Sequence, residues 1–311
     1  MMNAPKLDPR ETHARIPSPH SGLHLFLRHL PPTEGTSPRG VVLYVHGGTF
    51  SSALSIAHRF DGRSWRDELC DAGFHVWGLD FHGFDRFSDP YPDTGARTAP
   101  GRTADASRQL EHAVRFILAQ HGVARLSLIA HSWGTMVSGH LAGRCSGLID
   151  RIVFFGPIAR RNPLTDAVQL PAYRLISLQD QWDRFTADVP PDQAPVLSRR
   201  HFDEWGQAYL DCDPESRNRQ PAAVKTPSGA FQDIFDAWAG TLPYDPNLVQ
   251  APVAIIRGEW DSMSTDADAA SLLDAIPAAR DFKIPRATHL MHLEENRYAL
   301  YREAAAFLKG D

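Results

Sequence analysis

The run Leu126–Val137, LSLIAHSWGTMV, constrains what this chain can fold into more than any other stretch. Leu126 to Ala130 is a short apolar segment that fits a buried strand. It stops at Ser132, and a helical pattern begins at once. A strand that turns directly into a helix holds the residue at the turn up at the end of the strand. The two backbones nearly touch there, so no bulk fits two residues to either side. Ala130 and Gly134 meet that limit, with Ala130 adding one methyl group at the first crowded position. The string is short, and its weight comes from what surrounds it.

Upstream, residues 22–30 alternate well enough for an edge strand, and a Pro-rich loop follows. Val41–Val45 reads as the first fully buried strand and runs straight into His46, Gly47, Gly48 and Thr49. Arg63 to Gly73 fits a short helix, and His75–Asp80 the next strand. The loop from Phe81 to Arg102 ends at a helix whose Leu110, Ala113, Val114, Ile117 and Leu118 form one apolar face, with Thr103 or Asp105 as its cap. Strand 125–130 and its helix come next, then strand Ile152–Phe155.

After that the rhythm breaks. Residues 158–246 show no clear buried strand but several aromatic, charged helical pieces, at Leu175–Phe185, His201–Leu210 and Phe231–Trp238. Alternation then resumes with strand Val253–Ile256, helix Ala267–Ile276, strand Asp281–Ile284 and a last helix that Asn296 can cap. This pattern implies an α/β chain with a mostly parallel twisted sheet and helices on both faces. Residues 1–157 and 247–311 form the core, and 158–246 read as an inserted helical cap.

A net charge of −5 gives no footprint for nucleic acid, and no Lys/Arg run suggests an anionic membrane. Met1 to Gly22 lacks a charged n-region and an apolar h-region, so no secretory signal is expected. No apolar run approaches the roughly 20 residues that span a bilayer. Cys70, Cys145 and Cys212 are far apart, odd in number and without metal spacing. A reduced cytoplasmic enzyme is the simplest reading; composition leaves the oligomeric state open.

Four pieces fall in order at the ends of successive strands: His46-Gly47-Gly48, the turn at Ser132, Gly258 to Asp261, and Ala287 to Glu294 with His289. Ser, then acid, then His is the order of the α/β-hydrolase fold. From about residue 22 to the C-terminus the sequence resembles that superfamily, and within it the capped esterase, lactonase and proline-iminopeptidase-like branch. The His-Gly-Gly, the Asp80-x-x-Gly83, the His-Ser-Trp-Gly turn and the late His-x-x-His-Leu-Glu all match that branch.

The resemblance implies a nucleophile elbow at Ser132, with His289 as base and then acid, and Asp261 orienting the imidazole. It places the oxyanion donors at the backbone N–H of Trp133 and of Gly48, with Thr49 the alternative if the loop is shifted by one. Each assignment has a rival. Ser132 could be an ordinary helix N-cap; Glu259 and Asp266 compete with Asp261, and His292 with His289. His131, beside the nucleophile, is most often a structural partner in this fold.

Two departures stand out. Asp85 and Phe87 replace a glycine and a serine common among relatives after the 75–80 strand, and Asp tolerates a left-handed backbone better than most residues. Proline iminopeptidases follow His-Gly-Gly with Pro-Gly, whereas Thr49 and Phe50 follow here, which weakens a peptidase reading. His13, His20, His24 and His29 suggest solvated or edge-strand histidines; no metal and no cofactor are assigned.

Pocket candidates are Thr49, Phe50, His131, Trp182, Trp205 and Trp238, although most cap aromatics would pack cap against core. The expected activity is hydrolysis of a carboxylic ester or lactone of a medium-sized, partly hydrophobic small molecule. The alternatives are an iminopeptidase-type amide hydrolase, a carbon–carbon bond hydrolase and a non-catalytic receptor on the same fold. Dehalogenases and epoxide hydrolases attack with aspartate, which position 132 lacks.

Overall fold

The structure, a computed structural model, describes residues 4, 6–92, 98–161 and 168–311. In chain order come β1 (Thr12–Pro17), β2 (His24–Leu30), β3 (Gly40–Val45), α1 (Trp65–Asp71), β4 (Phe74–Asp80), α2 (Thr103–His121), β5 (Leu126–His131), α3 (Trp133–Arg144) and β6 (Ile149–Phe155). Then follow β7 (Tyr173–Ser177), α4 (Leu178–Thr186), α5 (Arg199–Asp211), β8 (Ala223–Pro227) and α6 (Gly229–Trp238). The chain closes with β9 (Val253–Gly258), α7 (Asp266–Ala275), β10 (Ala279–Ile284) and α8 (Arg297–Lys309).

One eight-stranded sheet runs in the order β1-β2-β4-β3-β5-β6-β9-β10. From β4 to β10 it is parallel, and β2 runs against both β1 and β4. The central strands β3, β5, β6 and β9 are buried over most of their length because both faces of the sheet are covered there. On β3, Val41, Leu43 and Val45 join the cluster under α2, α3, α6 and α7, while Val42 and Tyr44 join the one under α1 and α8. Period-two alternation thus separates two cores on a strand whose sequence shows no alternation. Central β5 lies between β3 and β6, so its C-terminal end opens in the middle of the sheet.

Sequence and structure part company in several places. Residues 24–30 are not an edge strand, because β1 pairs along their length from Thr12 opposite His29 to Pro17 opposite His24. β1 hides in a polar sequence because most of it remains partly exposed. Asn296 precedes α8, but its side chain donates to the carbonyl of Pro285 instead of capping the helix. Asp85 is not left-handed. It accepts from Ser51 at 2.9 Å and from the Phe87 N–H at 3.1 Å, so a side-chain turn replaces the missing glycine.

Residues 158–246 are not purely helical either. β7 and β8 form a separate antiparallel ladder, and at residue 175 the chain is still strand. A Ser177–Asp180 capping box then starts α4. The pair escapes a periodicity reading because its outer positions are exposed and it sits apart from the main sheet. The last helix of this stretch belongs to the core: Ala230, Ile234 and Ala237 of α6 lie in the main cluster with α2 and α3. The excursion therefore runs from the end of β6 to the start of α6. It packs through its own cluster, where Phe185, Phe202, Trp205 and Tyr209 meet Phe50, Leu54 and Phe60.

Asp233 of α6 explains how that helix is held, and why neither Thr103 nor Asp105 caps α2. Its carboxylate accepts from the Thr103 N–H at 2.6 Å, the Thr103 hydroxyl at 2.7 Å and the Trp133 indole N–H at 3.0 Å, and it pairs with Arg102. A side chain 130 residues away thus does the work of an N-cap. Asp105 instead accepts from His20 and Tyr91. Asp233→Ala should cost about 2–4 kcal/mol, since it strands buried donors as well as removing bonds. Urea unfolding of the two proteins measures it, and a loss under about 1 kcal/mol would show that α6 is held by its apolar face alone.

Candidate active site

Ser132 joins β5 to α3 at φ 52° and ψ −122°, a conformation that non-glycine residues rarely adopt. Its N–H donates to the Phe155 carbonyl at 3.1 Å, and its carbonyl accepts from the Thr135 N–H and hydroxyl at 2.9 and 2.6 Å. Gly134 shows why the turn tolerates no bulk: a Cβ there would stand 2.5 Å from the His46 carbonyl oxygen and 2.6 Å from that of Val45. The strained residue is therefore clamped by its neighbours, and its hydroxyl is held at the sheet's C-terminal edge.

Two loops from the next strands meet this hydroxyl. His289 Nε2 lies 2.8 Å from Ser132 Oγ, and His289 Nδ1 lies 3.0 Å from each carboxylate oxygen of Asp261. A carboxylate partner makes Nδ1 the protonated nitrogen and leaves the Nε2 lone pair facing the serine. All three side chains are buried. Asp261 also accepts from the N–H groups of Met263 and Ser264, which fixes its orientation. The loops touch backbone to backbone, since a Cβ on Gly258 would fall 2.2 Å from the Ala287 carbonyl oxygen.

The rival residues are engaged elsewhere. Glu259 is exposed and accepts from the Arg286 N–H, and Asp266 pairs with Arg257 and Lys283. His292 is buried among Phe50, Phe155 and His131, and burial pushes its pKa down to about 3. Glu294 braces the histidine loop by accepting from the N–H and hydroxyl of Thr288.

Backbone from 46 to 49 lies against the serine. His46 accepts from the Phe81 N–H at 3.1 Å and donates through Nδ1 to the Gly47 carbonyl at 2.7 Å. Burial lowers its pKa to about 4, so it is a neutral pin for this loop. A Cβ on Gly47 would stand 2.9 Å from His131 Nδ1 and 3.4 Å from Ser132 Cβ. The N–H of Trp133 opens α3 and has no intrahelical acceptor. His131 stacks on Phe155 at 4.3 Å and donates through Nε2 to the His289 carbonyl, tying the turn to the histidine loop.

The other pocket candidates separate. Thr49 accepts from Arg184 of α4 at 2.9 Å. Phe50 is buried against Trp205 and His292. Trp205 is itself buried and donates to the Leu54 carbonyl, so it anchors the excursion to the core. Trp182 packs on Phe202 under Arg199. Trp238 departs from expectation: as part of α6 it packs on the main core beneath Arg161. Two residues go unnamed in the candidate set. Phe231 faces Gly48, where a Cβ would come within 3.9 Å of its ring, and Arg184 lies over that ring. The one signal for Arg184 is its place beside Gln181 and Phe185 on the buried face of an otherwise charged helix.

Among the described residues, one group could ligate a metal: His29, His75 and His121, with ligand atoms within 4.8 Å of one another. It shares His29 alone with the N-terminal histidine set considered from sequence, and it lies at the N-terminal end of β4, away from Ser132. Its nitrogens already serve one another and their neighbours, His29 bonding to His75 and His121 accepting from the Trp77 indole. No described helix is long and apolar enough to cross a membrane.

Comparison with known proteins agrees with the fold. The family model for the alpha/beta hydrolase fold matches residues 40–296. No curated protein matches the chain. Among solved structures, a meta-cleavage product hydrolase superposes with a TM-score of 0.65 at 16% identity, covering 96% of this chain and 98% of that one. The thioesterase domain from the curacin biosynthetic pathway gives 0.63 at 14%, covering 96% and 99%. A thermophilic esterase from Thermogutta terrifontis gives 0.61 at 16%, covering 96% and 98%. Identities this low speak for the fold alone.

Burial pushes the Glu294 carboxyl from an ordinary 4.5 up to about 7, with Asp261 and Asp188 adding to the rise and the Thr288 bonds opposing it. The folded state therefore holds this proton more tightly than the unfolded chain. That contribution is complete below about 4.5 and is lost as pH rises through about 7. Glu294→Gln should become progressively more stable relative to wild type across that window. Melting temperatures at stepped pH test this, and a difference that stays flat overturns it.

Proposed function

This chain belongs to the α/β-hydrolase fold family, and on that basis we propose that it is a serine hydrolase cleaving a carboxylic ester or lactone. One observation carries the reading: Ser132 Oγ, His289 and Asp261 stand in an unbroken relay at 2.8 and 3.0 Å. Ser132 attacks the acyl carbon while His289 Nε2 takes its proton, and Asp261 stabilises the imidazolium that forms. The N–H groups of Trp133 and Gly48, with Thr49 the alternative to Gly48, receive the negative charge on the carbonyl oxygen. His289 then returns the proton to the leaving alkoxide, giving the free alcohol and an acyl-serine. Water, deprotonated by the same nitrogen, attacks the acyl carbon, and the carboxylic acid departs as Ser132 regains its proton. No cofactor is called on. The substrate is a small, partly apolar molecule, and the three unpaired cysteines suit a reducing, cytoplasmic setting.

The excursion from β6 to α6 serves as a lid that selects substrate, since Arg184 and Trp205 bring it to Thr49 and Phe50. An iminopeptidase needs an anion there for the substrate's amine. Asp180 is spent in its capping box, Asp203 is paired with Arg199 in solvent, and the group that does reach Thr49 is a cation. That argues for esters.

Ser132→Ala should lower ester turnover by about 10³ or more with little change in melting temperature, and should abolish labelling by a fluorophosphonate. His289→Ala should do the same to turnover, while His292→Ala weakens it modestly. A Ser132→Ala protein retaining several per cent of activity would sink the assignment. Against a panel of esters, kcat/KM for proline anilide should be lower by about 100-fold, the equivalent of ~2.7 kcal/mol. Anilide turnover matching the best ester would favour the peptidase.

A further inference from the structure

Arg184 is a partly buried cation without a counter-charge among the described residues. The buried guanidiniums of Arg28 and Arg66 share the carboxylate of Glu11, Arg257 pairs with Asp266 and Asp281, and Arg297 donates to the Glu294 carbonyl. Arg184 makes no ion pair among the described residues. Its Nη1 donates to the Thr49 hydroxyl at 2.9 Å and to the Gln181 side-chain carbonyl at 3.0 Å. The Nε–H and Nη2 groups, the edge of the fork that suits a carboxylate, carry no bond to the described residues. The side chain is partly exposed, with Thr49 and Gln181 against one end of the guanidinium.

Three observations place this guanidinium close to Ser132. Thr49 follows Gly48 in the loop beside Ser132. The guanidinium lies 5.9 Å from the Phe231 ring, whose edge approaches Gly48, and Arg174 covers the same ring at 4.3 Å. The charge of Arg184 is also felt by His131, next to the serine, whose protonation it opposes together with burial and His289 and His292. Thr49 accepts from Arg184, so its own hydroxyl proton is free to donate into the same space. Burial lowers the pKa of Arg184 only to about 10, so it remains charged at neutral pH. An uncompensated, partly buried cation is costly, and a ligand anion removes the cost.

We propose that this is the acid-recognising half of the substrate site: the scissile ester or lactone carries a second group, a free carboxylate, bound by the fork of Arg184 and the hydroxyl of Thr49. The span between carboxylate and scissile carbonyl lies over Phe231. One guanidinium and one hydroxyl match a planar monoanion better than a phosphate dianion. This deepens the serine-hydrolase reading, and its test is read from binding alone.

On Ser132→Ala protein, titration calorimetry compares a homologous series of dicarboxylic acid monomethyl esters with the same esters carrying an amide in place of the free acid. At least one acid should bind tighter than its amide by about tenfold or more, the scale of a charged hydrogen-bonded pair. Adding Arg184→Met should bring the two within about twofold, while Arg184→Lys, run alongside in case the apolar variant does not fold, should keep part of the preference. Equal binding of acid and amide throughout the series overturns the proposal, as does a preference that survives both substitutions. An intact preference in a protein without Ser132-dependent turnover would overturn the hydrolase reading and leave the carboxylate site standing.

Discussion

A single backbone conformation, the left-handed turn at Ser132, is what the rest of the site depends on. It is unfavourable by itself, by about 1–3 kcal/mol, and persists because its surroundings leave no alternative. β5 is buried on both faces, α3 packs on α2 and α6, and Gly134 rests against the carbonyl oxygens of Val45 and His46. That close approach places the 46–49 loop and the serine in register. A second close approach, Gly258 against Ala287, does the same for the acid and histidine loops. The relay is thus a meeting of two backbone contacts, each requiring a residue without a side chain.

Three further imidazoles lie around Ser132 and His289, and burial keeps them uncharged. His46 pins its loop through Phe81 and Gly47, His131 ties the turn to the His289 carbonyl, and His292 fills space beside Phe50. Only His289 has both a carboxylate on one nitrogen and a hydroxyl on the other. Hydrogen bonding to the serine hydroxyl is thereby confined to one ring of the four, in a low-dielectric setting where fixed dipoles act more strongly than in water.

Much of this was legible because it is written locally. Apolar runs marked β3, β5, β6 and β9, the small residues around Ser132 marked the turn, and the family resemblance pointed to Asp261 and His289 ahead of their rivals. What escaped is written across the chain. β1 is polar because much of it meets solvent, so pairing alone reveals it. Asp233 caps α2 from α6, and no local pattern announces a cap supplied from elsewhere in the fold. α6 looks like its aromatic neighbours in sequence, yet its apolar side faces α2 and α3. Arg184 reads as one more solvated charge until the loop bearing Thr49 is brought beneath it.

The two ends of the excursion carry a further consequence. On leaving β6, the chain is fastened where the Arg161 N–H donates to the Ala237 carbonyl and its guanidinium grips Asp268. On returning, Gly229 is fastened to the Pro100 carbonyl by its own N–H. Departure and return are thus both moored to α6 or its flank, independently of anything between them. Closing such a tethered span grows only logarithmically more expensive, about 0.6 kcal/mol for each doubling of its length. Heritable change in that stretch, by insertion, deletion or replacement, can therefore accumulate at small thermodynamic cost while the serine, acid and histidine remain where they are.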